Sequence, residues 1–355
     1  MDIFSLLRLA KSKAASDLHL VGGSPPLLRI HGSLESLDGV APLTAAEMNE
    51  AFHQITTAEE REGFQQHLEL DFSSTIPDVG HIRCNVARQR GTISLAIRLL
   101  PAEVPTIDEL GLPVICKELI LKPRGLVIVS GPTGSGKTTT LAAMIQYLNT
   151  HKSCRVVTIE DPIEYVHPSR KCSITQRQLG SDTHSFPDAL RHVLRQDPDV
   201  ILVGEMRDLD TVAAVLTIAE TGHLIITTGH APSAAQTMER VIDLFPPAER
   251  HLAQMRLASL LIGVLCQALV PRADGKGRIA AVEVMLANPA VRNLIREGKI
   301  YQLPNVIRTN RDIGMISLDE FLVDLYLKRI ISGESLLAFC NDRQEAEKLI
   351  GRGRI

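Results

Sequence analysis

The stretch from Leu126 to Thr138 restricts the possible folds of this chain more than any other. Leu126-Val127-Ile128-Val129 is an unbroken apolar run rich in β-branched residues, the pattern of a strand buried on both faces. Gly131-Pro132-Thr133-Gly134-Ser135-Gly136-Lys137-Thr138 follows and fills every fixed position of the phosphate-loop pattern G-x-x-x-x-G-K-[ST]. Beyond it Leu141, Met144, Ile145 and Leu148 recur at helical spacing. A strand, a glycine loop and a helix in this order turn backbone amides and a helix N-terminus toward an anion. Lys137 then supplies a point charge to the β- and γ-phosphates, Thr138 a hydroxyl to Mg²⁺, and Thr139 shares the same first helical turn. The fold class expected is α/β, with ATP and Mg²⁺ as ligands.

A chain of 355 residues is long enough for two cores. Its net charge of −3 and its 3% aromatic content, with no Trp, offer neither an electrostatic footprint nor stacking platforms for nucleic acid. The six cysteines are scattered, with no C-x-x-C pair, which suits a reducing compartment and makes a zinc cluster unexpected. No signal-peptide pattern opens the chain, because Arg8, Lys11 and Lys13 interrupt its first apolar stretch. The apolar run Leu257–Val270 falls short of the ~18 residues a membrane span needs, so no membrane insertion is expected.

Residues 1–100 read as a small α/β module, with helices over 44–54 and 57–68 and strands over 27–34, 81–89 and 92–99. Arg83, Arg88, Arg90 and Arg98 cluster on the last two strands; taken alone, such a cluster is the pattern of a solvated face. Pro101 and Pro105 mark a linker over 101–112. From 113 to 287 strands and helices alternate, as in a mostly parallel sheet covered on both faces. Glu160, Asp161 and Glu164 fall after the strand Arg155–Ile159, where open sheets of this kind bind ligands. Residues 187–196 read as a helix carrying Arg191 and Arg195 on one face. The strand Val200–Val203 ends in Gly204-Glu205, a Walker B-like element lacking its usual aspartate, with Glu205 near Mg²⁺ directly or through water. His230 ends a later strand, a position open to a structural or a sensing role. A long helix is expected over 248–270, a strand over 279–286 and a helical region over 288–355.

Taken together, Gly131–Thr138, Thr158–Glu164, Asp197–Asp208, Thr221–His230 and Ala290–Glu297 resemble the Walker A, aspartate, Walker B, histidine and AIRNLIRE segments of the type IV pilus retraction ATPases. That family is a branch of the secretion-type hexameric ATPases. The resemblance implies a PAS-like N-terminal domain, a RecA-like P-loop ATPase core and a homohexameric ring. It also implies a cytoplasmic motor, peripheral at the inner face of the membrane, that acts on the pilus platform protein and its machinery. On the matching positions, Glu164 and Glu205 take the water-activating and metal-associated roles, while Glu160, His223 and His230 take nucleotide-side roles. Arg83 and Arg98 become arginines directed at the phosphates, with Arg191 and Arg195 as their partners in the core. Arg292 and Leu294 become candidates for coupling hydrolysis to retraction. Thr227 and Gly229 depart from the family's usual glycine and leucine, and a looser backbone is expected at His230. The missing four-cysteine insertion points to retraction rather than extension; the alternative is an accessory or assembly-type ATPase acting mainly through partner binding.

Overall fold

The computed structural model describes residues 2–30, 32–37, 39–100 and 103–352. It divides into two compact units, one of residues 1–103 with 162–166, the other of residues 104–161 with 167–355. The first contains α1 (Ile3–Ser12), β1 (Asp17–Val21), β2 (Leu27–Ile30) and β3 (Ser33–Ser36). These are followed by α2 (Ala45–Ile55), α3 (Ala58–His67), β4 (Glu69–Ile76), β5 (Gly80–Gln89) and β6 (Thr92–Leu99). Thr44 and Thr57 start α2 and α3 through capping boxes with Glu47 and Glu60. The six strands make one antiparallel sheet in the order β3-β2-β1-β6-β5-β4. The single strand expected over 27–34 is instead a hairpin, β2 and β3, which Gly32 turns with a φ of +90°. His31, inside that turn, lies outside the described residues.

The second unit opens with α4 (Ile115–Ile120), β7 (Gly125–Ser130), α5 (Lys137–His151), β8 (Arg155–Glu160) and β9 (Ser173–Gln178). Next come α6 (Phe186–Val193), β10 (Val200–Val203), α7 (Leu209–Glu220), β11 (Leu224–Thr228), α8 (Ala234–Asp243) and α9 (Arg250–Leu260). A hairpin of β12 (Leu261–Pro271) and β13 (Arg278–Leu286) leads to α10 (Pro289–Arg296) and α11 (Leu303–Thr309). The last helices are α12 (Leu318–Leu327), α13 (Gly333–Phe339) and α14 (Arg343–Arg352). The sheet order is β13-β12-β7-β11-β10-β8-β9, parallel except for the β12–β13 pair. Central β7 shows why its sequence is uniformly apolar. Leu126 and Ile128 pack on the face covered by α6 to α9, and Val127 and Val129 on the face covered by α4 and α5. Each such burial is worth roughly 1.5–3 kcal/mol.

Three expectations change here. The helix over 248–270 ends at Leu260, and Leu261 begins a strand paired with β7 on one side and β13 on the other. Periodicity in a leucine-rich run does not separate the two states; the unpaired edge of β7 does. The linker over 101–112 also shrinks. Pro101 and Ala102 lie outside the described residues, while Ile107 and Leu112 are buried in the core beside α4 and α5. Finally, α10 is not a separate appendage, since Val291 and Ile295 belong to the core under α7 to α9. Only α12 to α14 form a cluster of their own, against Val270 and Ala281. Among the described residues no helix is long and apolar enough to cross a membrane.

Candidate functional site

The phosphate loop is shaped by glycines that no other residue replaces easily. Gly131, Gly134 and Gly136 have φ values of +144°, +78° and +89°. A Cβ on Gly131 would lie 2.4 Å from the Gln267 carbonyl oxygen and 2.6 Å from Ser135 Oγ. Gly136 is the N-cap of α5 and gives no side-chain cap, so the helix N-terminus, with Lys137, Thr138 and Thr139 in its first turn, opens directly onto the loop. Pro132 and Thr133 form the exposed crest of the loop. Ser135 is 3% exposed, and its hydroxyl has no partner among the described residues. A buried orphan hydroxyl inside a ring of amides fits a phosphate group. Lys137 Nζ donates to the carbonyls of Gly131 and Pro132, at 2.8 and 3.1 Å, and is thereby held over the loop. Beside the loop a cavity of about 600 Å³, bordered by Gly136, Thr139, Leu112, Leu269 and Ile279, is large enough for a nucleoside.

Glu205 and His230 meet at the carboxyl ends of β10 and β11, with Nε2 to Oε2 at 3.2 Å. The Glu205 side chain is 12% exposed, and its other oxygen is paired with Arg207. At Gly204, which stands where the Walker B pattern has aspartate, β8 runs close by. A Cβ there would lie 3.2 Å from the Ile159 carbonyl oxygen. The backbone around His230 is pinned rather than loose, contrary to the expectation from Thr227 and Gly229. Gly229 N donates to the Val129 carbonyl at 2.9 Å, and Ser130 Oγ both donates to and accepts from the backbone of Ala231. A Cβ on Gly229 would meet Ser130 Oγ at 2.9 Å. The end of β7 and the histidine segment are therefore one rigid corner of the sheet.

Other expected residues fall elsewhere. His223 precedes β11 at the end away from His230, level with Gly125, on the order of 16 Å from the loop end at strand rise. It does not meet its own chain's phosphate loop; its imidazole instead pairs with the Thr221 hydroxyl at 2.9 Å. Glu160 is buried, accepting from Thr158 Oγ1 at 2.6 Å and Gln176 Nε2 at 3.0 Å, which makes it a brace between β8 and β9. Arg191 and Arg195 do not lie in one α-helix. The α-helix stops at Val193, residues 194–196 tighten into a 3₁₀ turn, and Asp197 before Pro198 turns left-handed. Arg191 pairs with Asp188 at 3.3 Å. Glu164 lies in the 162–166 segment of the first unit. In that unit Arg83 and Arg98 are directly opposed on β5 and β6, and Arg98 Nε reaches Asp17 Oδ1 at 3.0 Å. Burial works against the charge on Asp17, but the Ser16 hydroxyl and Arg98 outweigh it and hold the carboxyl below its ordinary value.

One contributor escaped the sequence reading, and a second, Asp208, was named there only as the end of the Walker B-like segment. Gln267 on β12 is 3% exposed; its Nε2 donates to the Ser135 carbonyl at 2.6 Å and its Oε1 accepts from Thr140 Oγ1 at 2.9 Å. It clamps the phosphate loop to the sheet, and its only signal was one amide inside an apolar run. Asp208 caps α7, accepting from Thr211 N at 2.8 Å, so the segment after Glu205 is fixed at its far end. Arg292 is also reassigned. Rather than being displayed on α10, it is half-buried and donates to the carbonyls of Ala258 and Ser259, at the end of α9, and of Ala287.

The family model of the type II/IV secretion system proteins matches residues 89–317. The type IV pilus retraction ATPase PilT of Pseudomonas aeruginosa is 45% identical over 94% of this chain and 97% of its own. A twitching motility protein of Neisseria gonorrhoeae is 42% identical over 94% of this chain and 89% of its own. A crystal structure of the pilus retraction motor PilT with bound ADP superposes with a TM-score of 0.92 at 40% identity, covering 98% of this chain and 99% of that one. By sequence and by fold, the chain belongs to the type II/IV secretion ATPase family, within its pilus retraction ATPase branch.

Proposed function

We propose that this chain is an ATP-hydrolysing, Mg²⁺-dependent motor that works as a homohexamer to retract type IV pili, acting through the platform protein at the inner face of the membrane. The observation that carries the chemistry is the convergence of the phosphate loop, Lys137 and the Glu205–His230 pair at the same ends of neighbouring strands. The loop amides and Lys137 hold the triphosphate and compensate charge that grows on the leaving β-phosphate oxygens. Glu205 takes a proton from the attacking water, and His230 keeps the carboxylate oriented. Thr138 would hold Mg²⁺ together with phosphate oxygens and water, and the ion, when bound, neutralises charge on the transferring group. That division of labour suits a chain in which no group of three or more His, Cys, Asp or Glu among the described residues could hold a metal alone. Arg83 and Arg98 are assigned to phosphate charge, Glu164 to the water, and Arg191 and Arg195 to supporting roles.

Steady-state ATP hydrolysis by the purified full chain tests this reading. Glu205→Gln and Lys137→Ala are each expected to lower turnover by about 10²–10⁴-fold while the assembly stays intact by size exclusion. Turnover within twofold of the unsubstituted chain in either variant would remove the site assignment. In cells, loss of the gene should leave surplus pili that do not retract, whereas bald cells would assign the motor to extension instead.

A further inference from the structure

A second cavity, of about 120 Å³, lies past the Glu205–His230 pair, between the ends of β10 and β11 and the side of α8. It opens on the other face of the sheet from the phosphate-loop helix. The α8 residues Met238 and Val241 pack with Leu126 and Ile128, whereas α5 packs with Val127 and Val129. Leu269 and Ala280, which border the nucleoside-sized cavity, belong to the α5 side. The two cavities are therefore on opposite faces, with the water-activating pair at the strand ends between them.

The second cavity has an apolar floor, from Met206 and Leu244, and a wall carrying Arg207, Arg240 and His230. Arg240 is exposed on α8 and has no hydrogen bond or ion pair among the described residues. Arg207 is neutralised by Glu205, the carboxylate assigned to the water. One unpaired guanidinium and one that can exchange partners, set around a space large enough for a tetrahedral oxyanion, make an anion site.

We propose that this cavity receives inorganic phosphate, the second product of hydrolysis, before ADP leaves. The proposal rests on the hydrolytic reading above. Hydrolysis breaks the bond between the γ-phosphorus and the β–γ bridging oxygen, which leaves with ADP and the bonding electron pair; water supplies the new oxygen and keeps one proton on it as hydrogenphosphate, and its other proton passes to Glu205 and on to solvent. While ADP holds the loop and the cavity on the α5 side, the route past Glu205 and His230 leads to the two arginines. Arg207 then exchanges the Glu205 carboxylate for a phosphate oxygen, and Arg240 supplies the second cationic contact.

The test uses the full chain saturated with ADP, so that the phosphate loop is filled, and inorganic phosphate as the probe, followed by calorimetry or by phosphorus resonance. Phosphate should bind the ADP-loaded chain, Arg240→Gln should weaken it at least tenfold, and Arg240→Lys should keep it within about threefold. Phosphate should also inhibit hydrolysis without competing with ATP, with an inhibition constant raised by the same factor in Arg240→Gln. Equal binding by Arg240→Gln, no binding by the ADP-loaded chain, or inhibition purely competitive with ATP would each overturn the proposal. Because the binding measurement needs no turnover, an inactive chain that still binds phosphate through Arg240 would sink the hydrolytic reading and keep the anion site.

Discussion

Gln267 shows how much one side chain outside any motif can carry. Replacing it with Leu keeps the volume of the site but leaves the Ser135 carbonyl and the Thr140 hydroxyl without their partner. Each orphaned buried group costs about 1–3 kcal/mol, so nucleotide should bind the Gln267→Leu chain about tenfold more weakly or worse, measured by titration with a fluorescent ADP analogue. An unchanged dissociation constant would mean that the loop keeps its shape without the clamp. Thr227 is the opposite case. It is fully buried on β11, and its hydroxyl has no partner among the described residues. Thr227→Val removes an unsatisfied group at nearly constant shape on a strand that favours β-branching. A gain of about 1 kcal/mol is expected in chemical denaturation. A loss of stability would reveal a partner for the hydroxyl. The sequence made the phosphate loop legible because its residue types and spacing are dictated by the ligand. Gln267 was not legible because its role depends on which strand lies beside the loop, and that is settled by tertiary pairing.

The same division holds for elements. Strands β7, β10 and β11 were readable, since burial on both faces leaves only apolar choices. The edge strand β9, Ser-Ile-Thr-Gln-Arg-Gln, was not, because it is only partly buried and its pairing to β8 rests on backbone bonds any sequence could make. β12 was misread as helix for the reverse reason, being apolar apart from Gln267 and largely buried. The AIRNLIRE-like helix α10 has a consequence of its own. Asn288 caps it and Pro289 opens it, and Arg292 closes the end of α9 by donating to the carbonyls of Ala258 and Ser259, with a third bond to Ala287. A cation at a helix C-terminus also opposes the helix dipole. Arg292→Ala should therefore cost roughly 1.5–3 kcal/mol, a fall of about 3–6 °C in melting temperature, while exposed Arg296→Ala stays within about 1 °C. If the two variants melt together, Arg292 is free for the coupling role assigned from sequence. If they separate as expected, a retraction defect in Arg292 variants reports a loosened α9 before it reports lost coupling.

At the scale of the whole molecule, the Asp17 carboxyl of the first unit and the Glu283 carboxyl of the second answer acid in opposite directions. In the first, Asp17 is held below its ordinary value, so its contribution is present above the unfolded carboxylate range and is lost as pH falls through the depressed value. Arg98 is 63% exposed, so solvent screening keeps that contribution small. In the second unit Glu283 is 7% exposed on β13, where burial raises its carboxyl; the amides of Ala234 and Leu318 offset only part of that effect. Asp319, at the start of α12, is raised by burial as well. A raised value means that the folded state binds the proton more readily than the unfolded chain. The stabilisation is thus complete in acid and fades as pH rises through the raised value. Glu283 nonetheless ties the N-terminus of α8, four residues after His230, to that of α12, which starts the C-terminal cluster. Gln at this position has no charge to bury and keeps one carbonyl oxygen for the Ala234 amide, although its NH2 group, unlike a second carboxylate oxygen, accepts no bond. Glu283→Gln should therefore melt higher than the unsubstituted chain at pH 8, with the difference shrinking toward pH 4, when calorimetry is run across that range. A constant difference across the range would mean that Glu283 does not titrate on folding. A lower melting point at pH 8 would mean that its charge, held between two helix N-termini, stabilises the joint more than burial penalises it.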